Sequence, residues 1–188
     1  GQGVPQNWRK GMKWTENAAS QGCELAQINL GLMLHLGRGG RKDSIQAKYW
    51  YEKAAAQGHA RAQLNLARMH YLGEGGPQDF IKSRYWLEKA AAQGEVQAQN
   101  NLGCMHDQGL GGPQDFIRAR YWLEKAAAQG HTGAMVFIGR FYASGEGVAQ
   151  DLNESMRWLL KAKARGENVS FEIAEVMKIR KRERGLAE

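Results

Sequence analysis

A tryptophan returns every 36 residues along this chain, at Trp14, Trp50, Trp86, Trp122 and Trp158. Glycines keep the same period without insertion or deletion, at Gly22, Gly58, Gly94, Gly130 and Gly166. Two more glycine series do so, one through Gly1, Gly37, Gly73, Gly109 and Gly145, the other through Gly3, Gly39, Gly75, Gly111 and Gly147. A gapless period over five copies marks a tandem array, in which each unit is a small element that buries its apolar face only against its neighbours. The windows are 1–36, 37–72, 73–108, 109–144 and 145–180, with a basic tail at 181–188.

Each window reads as two helices. Asn7, Asp43, Asp79, Asp115 and Asp151 share one register, and their short side chains can accept from the first free amides of a helix. Only Asp151 has a carboxylate three residues on, Glu154, which spells a capping box. Helix A of the second window runs over 44–57, with an apolar stripe of Ala47, Trp50, Tyr51 and Ala54. Gly58 and its copies suit the left-handed position after its end. Helix B runs over 60–72 with Ala62, Leu66, Met69 and Leu72 on one face. Small residues at Gly11, Ala47, Ser83, Ala119 and Ser155, and runs such as Ala54–Ala56, let helices approach closely. The fold class is therefore all-α, a right-handed α-solenoid of about five helix–turn–helix repeats. The five tryptophans are assigned to a core ladder, in which Trp86→Ala costs about 3–5 kcal/mol.

No residues assemble an active site. Cys23 and Cys104 stand at different repeat positions and read as free thiols, too few for a disulfide framework or a structural zinc site. His35, His59, His70, His106 and His131 form no i, i+4 pair and read as surface or capping groups. The Gly-x-Gly-Gly turns follow a helix and lack the Gly-Lys-Ser/Thr ending of a phosphate loop. The expectation is no enzyme, no metal and no cofactor. No apolar run approaches the ~18–20 residues of a membrane-spanning helix. The 188 residues are 43% hydrophobic and 24% charged, a globular composition. The net charge of +7 permits an acidic partner. Much of it lies at Arg157, Lys161, Lys163, Arg165, Lys178, Arg180, Lys181, Arg182 and Arg184. No aromatics interleave the basic tail, so no nucleic acid is expected.

A second stripe on helix A is left over from the core. It runs Ile45, Tyr49, Glu52, Ala56 and recurs as Ile81, Tyr85, Glu88, Ala92 and as Ile117, Tyr121, Glu124, Ala128, flanked by Lys48, Arg84 and Arg120. Tyrosine and arginine anchor interfaces because they bury a large area and still offer hydrogen bonds. The expected partner-binding residues are thus Tyr49, Tyr85, Tyr121, Lys48, Arg84, Arg120, Glu52, Glu88 and Glu124. The alternative is that the tyrosines pack between adjacent A helices as structure.

The repeated residues resemble the Sel1-like repeat family. One helix A reads Ala119-Arg120-Tyr121-Trp122-Leu123-Glu124-Lys125-Ala126-Ala127-Ala128-Gln129-Gly130. The helix B before it holds Ala98-Gln99-Asn100-Asn101-Leu102-Gly103, and the turn is Gly109-Leu110-Gly111-Gly112-Pro113-Gln114-Asp115. The resemblance covers 1–180. It implies a non-catalytic protein-binding module, monomeric without its partner. Small bacterial members of this kind include immunity proteins that neutralise a secreted toxic effector, lipase-type effectors among them, and adaptors in envelope signalling or assembly. The immunity reading is the expected one and the adaptor its alternative. The paired disulfide of cysteine-rich secreted members is missing here, so the penicillin-binding activity suggested for them is not carried over. Asn168 to Lys178 lose the Ala-Gln and Leu-Gly signature and gain Phe171, Ile173, Val176 and Met177, as a capping helix would. The opening, Gly1 to Asn7, resembles the turn of a preceding repeat. The compartment stays open, with the periplasm favoured over the cytoplasm if a leader has been removed.

Overall fold

The computed structural model describes residues 7–183, and among these the regular elements are ten helices. The A helices are α1 (Trp8–Ser20), α3 (Ser44–Ala56), α5 (Phe80–Ala92), α7 (Phe116–Ala128) and α9 (Leu152–Lys163). The B helices are α2 (Glu24–Leu36), α4 (Ala60–Leu72), α6 (Val96–Gln108), α8 (Thr132–Ser144) and α10 (Ser170–Glu183). The protein is an all-α repeat fold, as the period requires. Gly1, Gly3 and Arg184 lie outside the described residues.

Every A helix starts at its capping residue. Asn7, Asp43, Asp79 and Asp115 accept from the amide three residues on at 2.9–3.0 Å. Asp151 accepts from Asn153 and Glu154, but Glu154 does not complete a capping box. Its carboxylate pairs with Arg157 at 3.1 Å, because the Asp151 amide already donates to the Tyr142 carbonyl. That second bond belongs to the turn. Asp79 and Asp115 likewise donate to the His70 and His106 carbonyls, and Gln78 and Gln114 to those of Tyr71 and Asp107. The Gln-Asp pair thereby satisfies carbonyls that the end of helix B would leave free. Gly75 makes the turn tight: its φ is +72°, and a Cβ there would lie 2.5 Å from the Ser44 carbonyl oxygen.

The chain divides into two compact units, Gly1–Glu95 and Val96–Glu188. In the first, α1 to α5 pack successively, each on the next. In the second, α6 to α10 do the same, and α10 also touches α8. The closest pairs join each helix B to the helix A that follows it. The register Gly31, Ala67, Gly103, Gly139 explains this closeness. A Cβ at Gly31 would fall 2.7 Å from the Tyr51 ring, one at Gly103 2.6 Å from Leu123, and one at Gly139 3.0 Å from Leu159. Tyr51, Leu87, Leu123 and Leu159 are the large buried side chains of the A helices, at most 3% exposed.

The tryptophan ladder is corrected accordingly. Trp50, Trp86, Trp122 and Trp158 are only half-buried, and Trp14 is 75% exposed. They precede the core residue by one position, about 100° around the helix, and so sit on its flank. Trp50 packs against the cluster of Ala19, Ala26 and Leu30, and Trp86 against the cluster containing Ala62 and Leu66. Each thus leans on the preceding helix pair. Leu72, at the last position of α4, is 49% exposed and also leaves the expected stripe.

The Ala-Gln and Gln-Gly pairs form a ladder of side-chain amides. Gln27 donates to the Ala19 carbonyl at 3.2 Å and accepts from Gln57 at 2.8 Å. Gln63 donates to Ala55 at 3.3 Å and accepts from Gln93 at 2.8 Å. In the second unit Gln129 donates to Gln99 at 2.9 Å. Buried amides cost stability unless bonded in this way. In the last repeat Met135 and Arg165 take the two positions, 3.9 Å apart.

His70 and His106 are not surface groups. They are 5% and 1% exposed, at the inward register shared with Leu34 and Tyr142. His131 does cap, its Nδ1 accepting from the Ala134 amide. Both thiols are free, and burial pushes that of Cys104 up to about 11.

Two outcomes are expected. Leu123→Ala should cost about 2–5 kcal/mol in urea unfolding, whereas Trp14→Ala should stay within about 0.5 kcal/mol. Equal losses would restore the tryptophans to the core. Burial, with Lys48 second, lowers the pKa of His70 below its ordinary value. An unfolded histidine titrates near ~6.5 and so binds the proton that the native state refuses. Stability is therefore full above that pH and declines as pH falls below it. His70→Leu, the residue type of the first repeat at that register, should flatten the decline; an unchanged slope between pH ~6.5 and ~5 would remove His70 from it.

Candidate protein interface

Burying Tyr51 and Leu87 turns the opposite face of helices α3 and α5 outward. Ile45 and Ile81 are 71% and 72% exposed, unusual for large β-branched side chains. Tyr49 and Tyr85 follow one turn later, about half exposed. Glu52, Ala56, Glu88 and Ala92 continue the rows, all exposed. The whole expected stripe therefore faces out, and the tyrosines are not buried as structure.

The rings are held in place. Tyr49 meets the Trp50 ring edge-on at 5.1 Å, and Tyr85 meets Trp86 at 5.0 Å. The Lys53 ammonium lies over Tyr49 at 5.4 Å, and that of Lys89 over Tyr85 at 4.9 Å. Helix α7, in the second unit, repeats the arrangement. Ile117 and Tyr121 are exposed, Tyr121 meets Trp122 at 5.0 Å, and Lys125 covers Tyr121 at 5.0 Å. Such cation–π contacts at exposed sites contribute about 0.5–1 kcal/mol and fix the ring.

The flanking cations stand differently from expectation. Arg84 is buried and Lys48 and Arg120 half-buried, so they are packing groups more than contact groups. Arg84 pairs with Glu88 and Arg120 with Glu124, each at 3.4 Å along one helix turn. Their alkyl stems cover apolar surface, as long cationic side chains do. The structure thus joins Arg84 to Glu88 and Arg120 to Glu124, whereas Lys48 and Glu52 form no ion pair among the described residues. The exposed cations of the face are Lys53, Lys89 and Lys125, which the sequence reading passed over. Their signal was present: a lysine four residues after each tyrosine lies one turn above it.

The basic C-terminal run is partly structural. Arg180 donates to the Leu152 carbonyl at 2.9 Å and to Asn153 Oδ1 at 2.7 Å, tying α10 to the start of α9. Among the described residues no three His, Cys, Asp or Glu side chains are grouped to hold a metal. An open groove of about 380 Å³ between α1 and α2, lined by Trp8, Thr15, Asn29 and Arg38 among others, contains no carboxylate, histidine or thiol.

Arg84→Ala is expected to lower stability by about 1–3 kcal/mol through lost packing, and Lys89→Ala to stay within about 0.5 kcal/mol. Urea unfolding of both variants checks this. A neutral Arg84→Ala would return Arg84 to the contact surface.

Comparison with known proteins fits this geometry. The model of the Sel1 repeat matches residues 1–23, 25–59, 60–95, 96–131 and 132–167. Each of the last four matches spans one helix B and the helix A that follows, the closest-packed pair. One boundary between matches, at 95/96, is also where the two compact units meet in sequence. Among solved structures, the chain is similar to c5321, a protective antigen of uropathogenic Escherichia coli strains displaying an SLR fold. The identity is 34% and the TM-score 0.89, over 92% of this chain and 37% of that one. It is also similar to a Sel1 repeat protein from Oxalobacter formigenes, at 31% identity and TM-score 0.79, over 88% and 68% of the two chains. Cysteine rich protein B of Helicobacter pylori shares the fold alone, at 20% identity and TM-score 0.56, over 71% of this chain and 97% of that one. This chain thus spans little more than a third of the length of the Escherichia coli protein. No curated protein matches it.

Proposed function

This chain belongs to the Sel1 repeat family, and from that premise we propose that it is a non-catalytic module that binds a protein through the outward rows of its A helices. The carrying observation is an isoleucine at least 70% exposed, followed one turn on by a tyrosine braced between a tryptophan and a lysine, in three helices. Water is a poor neighbour for Ile45, Ile81 and Ile117, and a partner that covers them recovers ~25 cal/mol per Å². Rigid tyrosines add area at low entropic cost, the property of hot-spot residues. The narrower proposal is an immunity protein that neutralises a cognate secreted toxic effector, possible lipases included. It is supported by the family resemblance and by a face suited to one stable protein partner.

The test begins with capture of the partner from the native host on the whole chain. Tyr49→Ala with Tyr85→Ala, both in the first unit, should then weaken binding by at least about 2 kcal/mol, about thirtyfold. Helicity should not change, since both rings are half exposed. Unaltered affinity, together with loss on Lys181→Glu, which leaves the Arg180 contacts in place, would move the site to the C-terminal helix. For the narrower proposal, the chain should rescue cells that express the captured effector and the tyrosine variant should not. Capture of a sensor kinase instead would favour the adaptor.

A further inference from the structure

The charges on the A helices do not cancel evenly. On α5, Asp79 pairs with Lys82 at 3.2 Å and Arg84 with Glu88 at 3.4 Å, which leaves Lys89. On α7, in the other unit, Asp115 pairs with Arg118 and Arg120 with Glu124, each at 3.4 Å, which leaves Lys125. On α3, Lys48 and Lys53 stand against Glu52, with Asp43 engaged at the cap. Among the described residues Lys53, Lys89 and Lys125 meet no carboxylate at ion-pair distance; each meets the tyrosine ring beneath it. Two helices in separate units thus spend every other charge internally and leave the one cation that borders the exposed apolar row.

We infer that the partner presents an acidic amphipathic segment, its apolar side chains covering Ile45 and Ile81 and its carboxylates reaching Lys53 and Lys89 of the first unit. This rests on the protein-binding reading above and specifies the partner's chemistry. A carboxylate about two helical turns from an apolar side chain matches the spacing on the protein, where eight residues, about 12 Å along the helix, separate each isoleucine from its lysine. The cation–π contact holds the ammonium in position, so less side-chain entropy is lost when the carboxylate arrives. A nucleic acid fits this face less well. One unmatched lysine per helix is sparse against a phosphate every ~1.7 Å of duplex, and the exposed isoleucines offer phosphate nothing.

The test uses the full chain and three fluorescein-labelled amphipathic helical peptides with one apolar face and flanking Glu, Gln or Lys. Fluorescence anisotropy should show the Glu peptide binding on the order of tenfold tighter than the Gln peptide, and the Lys peptide weakest. Lys53→Gln with Lys89→Gln should bring the Glu peptide down to the Gln level and leave the Gln peptide unchanged. Raising salt from about 0.05 M to about 0.5 M should erase the same difference. Ile45→Ser with Ile81→Ser should abolish binding of all three. Equal affinity of the Glu and Gln peptides, both lost with the isoleucines, would overturn the acidic partner and keep the protein-binding face. Peptide binding indifferent to the isoleucine variants would overturn both. No binding by any peptide, or tighter binding of a labelled oligothymidine or of anionic vesicles than of the Glu peptide, would overturn the inference.

Discussion

The contact between a small residue on helix B and a large one on the next helix A governs this structure. A Cβ would clash with Tyr51 at Gly31 and with Leu123 at Gly103 and would press on Leu159 at Gly139, while Ala67 is the small residue of the second repeat at this register. At that separation the inward alanines of the A helices, Ala47, Ala54 and Ala119 among them, are buried and the glutamine amides come within hydrogen-bond reach. Glycine lowers helix propensity by about 1 kcal/mol relative to alanine, a cost that the closer approach offsets with dispersion and burial. The same contact sets the outer surface. With Tyr51 fixed inward, Tyr49 lies two residues and ~200° away and must face out, and Ile45 follows it. The outward row of isoleucine and tyrosine is the geometric complement of the packing contact.

The half-buried tryptophans connect the two faces. Trp50 rests on Ala19, Ala26 and Leu30 of the preceding helix pair and also meets the Tyr49 ring in a T-shaped contact. Trp86 does the same between the Ala62 and Leu66 cluster and Tyr85. An outward-facing tyrosine is thereby braced by the core of the repeat before it. Trp14 shows the converse: a lysine, Lys13, stands before it in place of a tyrosine, and it is 75% exposed.

Period, helix number, turns and the capping residues of the A helices were legible in the sequence, because each rests on local backbone chemistry that recurs every 36 residues; the capping box at Glu154 was not, since the turn had already taken the Asp151 amide. The inward position of helix A was harder to read. In Tyr49-Trp50-Tyr51 three aromatics stand side by side, and only the glycine on α2 decides which one goes in. That decision lies in a residue 20 positions earlier, beyond any local pattern. The inward turn of His70 and His106 was obscured for a similar reason, since Leu34 and Tyr142 share their register but not their polarity. The stripe of Ile45, Tyr49, Glu52 and Ala56 was read correctly as a non-core face. Its cations were misassigned, because Arg84 and Lys89 sit on different sides of one helix and only tertiary packing separates them.

The amide ladder bears on how such an array changes length over generations. The bond between Gln57 and Gln27 lies wholly inside residues 25–59, that between Gln93 and Gln63 inside 60–95, and that between Gln129 and Gln99 inside 96–131. The substituted pair, Met135 and Arg165, likewise falls within 132–167. A recombination event that copies or deletes one such segment carries both partners of its rung together. It also supplies or removes the backbone carbonyl that the next glutamine needs, as Ala55 does for Gln63. A crossover half a period out would separate donor from acceptor and leave an amide buried alone. Gene duplication can therefore lengthen or trim this fold in whole steps of one helix pair, and any cut that keeps the 36-residue register keeps every rung.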